Sequence, residues 1–320
     1  MDKWLPSIPH LGSLYIKLAR ERFKRLSVDT TMFRRKANNA NQDPENDPQQ
    51  QEAKINELKA AIGPLSGPSL KYCSDACFRR YLVARNWNVE KAKKMLQETL
   101  EWRSSYKPEE IRWVVPISVM PFVLEFSICN VIGELNSVFD YFTYSPKLHT
   151  KNTKSFENQI RHLVYLLENA VLNLPEGQEQ MSFLIDFTGW SITNNVPIKT
   201  AHETASILQN HYPERLAVAF LYNPPRIFEA FWKVVKYFLD PRTFQKVKFV
   251  YPKKNKESVE VMRLHFDDQN LPADFGGQGD LQYDHAEFSK MMIQDDVKTA
   301  SFWGLDAAKL NGVEVAPTES

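Results

Sequence analysis

Three apolar, strand-like runs recur along the chain at intervals of about thirty residues, at Ser182–Phe187, Arg215–Tyr222 and Lys246–Tyr251. Between them lie two segments of helical period, Ile198–Tyr212 and Arg226–Leu239. The alternation predicts a parallel sheet, because parallel neighbours need a long crossover, which a helix supplies. In the second helix Phe228, Phe231, Val235, Phe238 and Leu239 share one face, widened by Ile227, Trp232 and Val234. Glu229, Lys233 and Lys236 lie opposite. A face so oily on a surface helix must cover something apolar.

Upstream, Phe156, Ile160, Leu163, Val164 and Leu167 keep helical spacing within Phe156–Leu174, which Pro175 and Gly177 end. Glu52–Ile62, Ser74–Arg85 and Val89–Trp102 form a small all-helical unit, with Ser74 as N-cap and Asp75 in the first turn of its second helix. Asn38–Gln51, rich in Asn, Gln, Asp and Pro, reads as a linker. Before it, Leu14–Leu26 carries Lys17, Arg20, Arg22, Lys24 and Arg25, either as a helix resting on an anionic membrane or as a solvated leader. Downstream, Ser258–Phe266 is helical and Leu271–Gly277 is a loop whose paired glycines suit positive φ. Past Trp303 no period is visible.

The chain has 320 residues, 43% of them hydrophobic and 25% charged, which suits one large or two modest domains. A net charge of +1 supplies no global field for nucleic acid. Three Cys do not make a disulfide framework, and Cys73 and Cys77 have no metal-spaced partners, so a reducing intracellular compartment is the default. No secretory signal is visible, since Pro6, Pro9 and His10 interrupt the N-terminus. Val114–Ile132 is apolar enough to raise a transmembrane question, but it contains Pro116, Pro121 and Glu125. An intramembrane Glu costs roughly 2–3 kcal/mol, which favours a buried segment of a soluble fold.

No nucleophile elbow, phosphate loop, HExxH or dinucleotide fingerprint occurs, and His202-Glu203 lacks a second His at helical spacing. No catalytic residue, metal or cofactor is therefore expected. Asp186, at the end of the first strand, is either a ligand-facing group or a hydrogen-bonded loop carboxylate.

Several segments resemble one family in order and spacing. Asp75-Ala76-Cys77-Phe78-Arg79-Arg80-Tyr81-Leu82-Val83-Ala84-Arg85, continuing through Asn86-Trp87-Asn88-Val89 to Ala92, resembles the helix pair that opens CRAL-TRIO lipid-binding proteins. Asp186-Phe187-Thr188-Gly189 looks like their D-x-x-G strand end, and Tyr212-Pro213-Glu214-Arg215 like their Y-P-E-R. Asn223-Pro224-Pro225, Phe228–Phe238 and Asp240-Pro241 resemble the gating helix and its exit, and Leu271-Pro272 with Phe275-Gly276-Gly277 the closing L-P-x-x-F-G-G. By motif the nearest kin are secretory-pathway phosphatidylinositol/phosphatidylcholine transfer proteins. The resemblance implies an α/β fold: a small N-terminal helical unit, then a mixed, mainly parallel sheet whose helices cover a lipid cavity. It implies a non-enzymatic, monomeric, cytoplasmic carrier that touches membranes peripherally and transfers phospholipid, phosphatidylinositol above all, between cytosolic faces. A carrier of phosphatidylcholine, a retinoid or a tocopherol, and a scaffold holding no lipid, are the alternatives. Carried over, the head-group residues are Arg85, Glu214, Thr243 and Lys246, with Glu214 pairing with Arg85, and the cavity and gate residues are Phe228, Phe231, Trp232, Val235, Phe238 and Leu239.

The implied organisation is a leader and linker over 1–51, the helical unit over 52–112, the lipid-binding domain over 152–279 and a C-terminal extension over 280–320. The resemblance breaks between Trp113 and Lys151, where the family has a β-hairpin with a D-x-x-G-R-P-V-like strand. That motif is missing, and residues 113–151 read as an atypical segment in its place; if the stretch derives from an alternative or misjoined coding segment, the sheet is expected to lack an edge or centre strand.

Overall fold

The computed structural model describes residues 47–113, 127–130, 140–144, 156–188, 198–253, 256–269, 271–279 and 285–305. The expectations for Leu14–Leu26, for 38–46, for Gly189 and for the chain beyond Leu305 lie outside these residues. Helix α1 (Pro48–Ile62) starts earlier than composition suggests, because Asp47 accepts from the amides of Gln49 and Gln50 and Pro48 suits a first turn. After α2 (Gly67–Tyr72), Ser74 caps α3 (Asp75–Ala84) by accepting from the Cys77 amide at 3.2 Å. Asn88 caps α4 (Val89–Tyr106) in the same way. Leu58, Phe78, Tyr81, Leu82, Met95 and Leu96 make the buried centre of these helices.

Five strands lie side by side in the order in which the chain makes them. β1 (Ser127–Asn130) and β2 (Asp140–Tyr144) are antiparallel, and β2, β3 (Met181–Asp186), β4 (Leu216–Tyr222) and β5 (Val247–Val250) are parallel. A hairpin therefore does occupy the interval 113–151, and the expectation of a missing strand is corrected. Its strands of four and five residues are too short for a period to show, although Tyr141, Phe142, Thr143 and Tyr144 are all good strand formers. Ser127–Asn130 also shows that the apolar stretch Val114–Ile132 ends in a strand. Among the described residues no helix is long and apolar enough to cross a membrane.

Helices α5 (Phe156–Asn173) and α6 (Ile198–His211) make the crossovers into β3 and β4. Between β4 and β5 run α7 (Arg226–Val235), a 3-10 turn at Lys236–Phe238 and α8 (Pro241–Gln245). Each crossover steps to the next strand in one direction, so uniform right-handedness puts all their helices on one face. Packing agrees. On that face Phe183 meets the α5 cluster, while Ile185, Phe187, Leu221, Val247 and Phe249 meet α7. On the other face Leu184, Val218, Phe220, Tyr222 and Val250 pack on Met262 of α9 (Lys256–Arg263) and on Phe266, Leu271 and Phe275.

That back wall is closed by the loop Leu271–Gly277. Gly276 takes φ +84°, and a Cβ at Gly277 would lie 2.0 Å from the Leu271 carbonyl oxygen. Only glycine fits that approach, which lets Leu271 and Phe275 bury. The last helix, α10 (His285–Trp303), packs Phe288 and Met292 against α5 and Trp113, and Asp296 accepts from the Trp113 amide at 2.8 Å.

Candidate functional site

Helix α7 is built to cover the sheet but does so incompletely. Phe228 is buried, 4.3 Å ring to ring from Phe187 and 5.6 Å from Phe231. Trp232 lies 5.6 Å from Phe249 and 6.3 Å from Phe244. Phe187, Leu221 and Phe228 are buried here; Ile185, Phe231, Trp232, Val247 and Phe249 belong to the same interface and stay part-exposed. Val235 is also buried, and Phe238 and Leu239 are half-buried. The helix is shorter than its sequence pattern: after Val235 it tightens into the 3-10 turn, and Leu239 lies beyond it. Ile227, Tyr237 and Phe244 are exposed at 46%, 53% and 42%.

Of the polar candidates, Thr243 and Lys246 sit where α8 meets β5, Glu214 lies in the turn before β4, and Arg85 stands apart at the end of α3. The Lys246 ammonium donates to the Leu216 carbonyl at 2.7 Å and lies 3.3 Å from Glu214 Oε2. Glu214 holds φ +56°, a left-handed conformation that is costly for a branched-off side chain and is found where surroundings over-determine the backbone. The carbonyl of Thr243, one turn before Lys246, accepts from the Lys246 amide at 3.1 Å, and Thr243 is half-buried. Arg85 ends α3, where its guanidinium donates to the Ala84 carbonyl at 3.0 Å. Glu214 thus pairs with Lys246 and not with Arg85, because Lys246, between α8 and β5, reaches the turn from beside β4. Arg242 brings α3 and α8 together, donating to Val83 O at 2.9 Å and to the Asn86 side chain. Asp186 is buried and accepts from the Thr188 amide at 2.8 Å, so it serves the turn after β3. Among the described residues no group of three His, Cys, Asp or Glu side chains is placed to hold a metal.

The family model for the CRAL/TRIO domain matches residues 141–277, and that for the CRAL/TRIO N-terminal domain matches 54–98. The phosphatidylinositol transfer protein PDR17 of Saccharomyces cerevisiae is 32% identical over 249 residues, which are 75% of this chain and 68% of that protein. The chain belongs to the CRAL/TRIO family. A CRAL-TRIO domain-containing protein of Schizosaccharomyces pombe is 30% identical over 227 residues, 68% of this chain but only 20% of that protein. The crystal structure of Sfh5 superposes with a TM-score of 0.47 at 20% identity, over 63% of this chain and 77% of that one. The CRAL/TRIO match starts at residue 141, inside the hairpin, eleven residues ahead of the point where motifs alone resume at Asn152.

Within this CRAL/TRIO chain the Tyr212-Pro213-Glu214-Arg215 turn is first a structural joint. Tyr212 donates to Glu168 at 2.7 Å, and Glu168 also receives both terminal nitrogens of Arg103, at 2.7 and 3.0 Å. Arg103 meets Glu109 at 3.3 Å and lies over the Tyr72 ring at 4.5 Å. Arg215 does not pair with Glu214; it donates to the Glu179 carboxylate and carbonyl, each at 2.9 Å. Arg80 reaches the same carboxylate oxygen, so it binds across to the α/β part and not within its own helical unit. Burial and the neighbouring Arg80 charge both hold the Arg215 guanidinium below its usual range. Sequence reasoning missed Glu179, Glu168 and Arg103, and also Gln209, whose amide binds both Phe238 O and the Asp240 amide. The available signal was Arg80, a charge set between Phe78 and Tyr81 on the buried side of α3.

Proposed function

We propose that the chain is a non-enzymatic carrier that binds a phospholipid, phosphatidylinositol above all, under α7 and exchanges it between cytosolic membrane faces. The observation that carries this is the part-exposed apolar interface between α7 and β3–β5. A core helix of a finished fold would bury those aromatics; here they remain available to acyl chains. Each CH₂ taken from water gains roughly 0.8 kcal/mol, so two acyl chains supply a large driving force for such a lining. Pro224 and Pro225 precede α7 and carry no N–H, so no amide of theirs ties the start of the helix to the sheet.

The name of PDR17 supports phosphatidylinositol as the head group. Glu214, Lys246, Thr243 and Arg85 form its polar rim: phosphate takes Lys246 from Glu214, and the freed carboxylate accepts from inositol hydroxyls. The carrier works as a monomer in the cytoplasm and meets membranes transiently. The test is lipid extraction of the purified protein followed by mass spectrometry. Phosphatidylinositol at about one per chain is the expected result. Protein that is free of lipid and takes up none from vesicles leaves the scaffold alternative.

A further inference from the structure

We propose that α7 pivots about its C-terminal end and is caught along its length by Tyr251, so that the Tyr251 hydroxyl sets how fast bound lipid leaves. This rests on the carrier function above and assigns its gate a fixed end and a release point.

The two ends of α7 are held in different ways. At the C-terminal end the Gln209 side chain of α6 grips the main chain twice, donating to Phe238 O at 2.8 Å and accepting from the Asp240 amide. Asp240 caps α8, accepting from the Arg242 amide at 2.9 Å, and Arg242 anchors to Val83 O and Asn86. His202 of α6 meets the Phe238 ring edge-on at 4.9 Å. The N-terminal end follows Asn223, whose amide is tied to Val250 O at 2.7 Å. Pro224 and Pro225 come next, neither with an amide to lose, and Pro225 supplies no side-chain cap. Two residues extend by at most about 7 Å, enough for the first turn to lift without disturbing β4.

Among the described residues, what must break for that lift is side-chain contact: the packing of Phe228 with its ring neighbours, and the polar bond in which Tyr251 Oη donates to Glu229 Oε1 at 2.8 Å. Tyr251 follows β5 directly and is stacked with Phe249, so it moves with the sheet, while Glu229 moves with the helix. Burial and the Glu229 carboxylate push the Tyr251 hydroxyl up to about 12, so it stays a donor throughout the physiological range.

The test measures release of pyrene-labelled phosphatidylinositol from loaded protein to phosphatidylcholine vesicles. Tyr251→Phe keeps the ring and removes the donor; release is expected to quicken about three- to tenfold, the effect of one hydrogen bond to a charged group near the surface. Glu229→Ala gives the same gain, the double variant no more than either, and Glu229→Gln, which keeps an acceptor, stays closer to wild type. Hydrogen exchange on lipid-free protein supplies a second readout: Tyr251→Phe speeds exchange over 226–235 while the Asp240 amide stays protected, and Gln209→Ala exposes it. Unchanged release from a protein that does bind lipid overturns the catch. So does unchanged exchange over 226–235. If no variant carries phospholipid the carrier function falls, yet the exchange experiment still decides the pivot.

Discussion

Glu168 joins Arg103 of α4 to Tyr212, and Glu168→Gln isolates its charge. The carboxylate accepts two bonds from Arg103 and one from Tyr212, with side-chain exposures of only 14% for Glu168 and 7% for Arg103. Glutamine preserves shape and an acceptor for Tyr212 but leaves the buried guanidinium facing an amide. Breaking a buried pair by removing one partner costs about 3–5 kcal/mol. Glu109 remains 3.3 Å from Arg103, so the lower end of that range applies, about 3 kcal/mol. In a chain of this size, at about 2.1 cal/mol/K of unfolding entropy per residue, that lowers Tm by about 4–5 °C.

The pH dependence has a definite sign. Burial alone raises the Glu168 carboxyl, but the Arg103 charge, hydrogen bonds from Arg103 and Tyr212, and Arg215 beyond them bring it below its usual range. A depressed carboxyl stabilises the fold above its unfolded pKa, about 4.3, and that contribution is lost as pH falls through the folded value. Glu109 is shifted upward by burial, so its contribution runs the other way and is lost as pH rises. The gap between wild type and Glu168→Gln is therefore widest near neutral pH and narrows below about pH 4. Urea unfolding across that range measures it. A difference under about 1 kcal/mol at neutral pH, or one that stays constant on acidification, refutes the argument.

Lys246→Ala is expected to abolish phosphatidylinositol transfer between vesicles while sparing a neutral ligand such as a tocopherol. Its part-exposed pair with Glu214 contributes at most about 1 kcal/mol, so Tm should move by no more than about 2 °C, and unchanged phosphatidylinositol binding rejects the site. Gly277→Ala drives a methyl into the Leu271 carbonyl and must open the loop that buries Leu271 and Phe275, at a cost of about 3 kcal/mol. An unaltered thermal melt would contradict that account.

The elements legible in the sequence are those whose burial is one-sided and long. α5 and α7 carry continuous apolar stripes, and β3 to β5 recur between them. α10 was not legible because its apolar residues point both ways: Phe288, Met292 and Ala300 are buried, while Met291, Ile293, Val297 and Phe302 are exposed. The partners of the buried arginines were illegible for another reason. Arg103 and Glu168 are 65 residues apart, and Arg215 and Glu179 are 36 apart, so no local spacing links them. The motif located Tyr212 and Arg215, but whether a charged residue faces ligand or protein is decided by what the fold brings opposite it.

Strand β4 shows how one short sequence writes two different walls. Its residues Val218, Phe220 and Tyr222 point to the back, where α9 and the Leu271–Gly277 loop bury them among Leu184, Val250, Met262 and Phe275. Ala219 and Leu221 alternate onto the other side, where both are buried and Leu221 packs with Phe228. Phe231 and Trp232 pack there and stay part-exposed. A close-packed wall resists deformation because each side chain has partners on every side. On the α7 side Ile185, Phe231, Trp232, Val247 and Phe249 keep part of their surface exposed, so a shift of α7 would break fewer close contacts than a shift of the back wall. The two faces of one strand thus differ in how completely their neighbours are covered, and it is the less covered face on which the proposed carrier function rests.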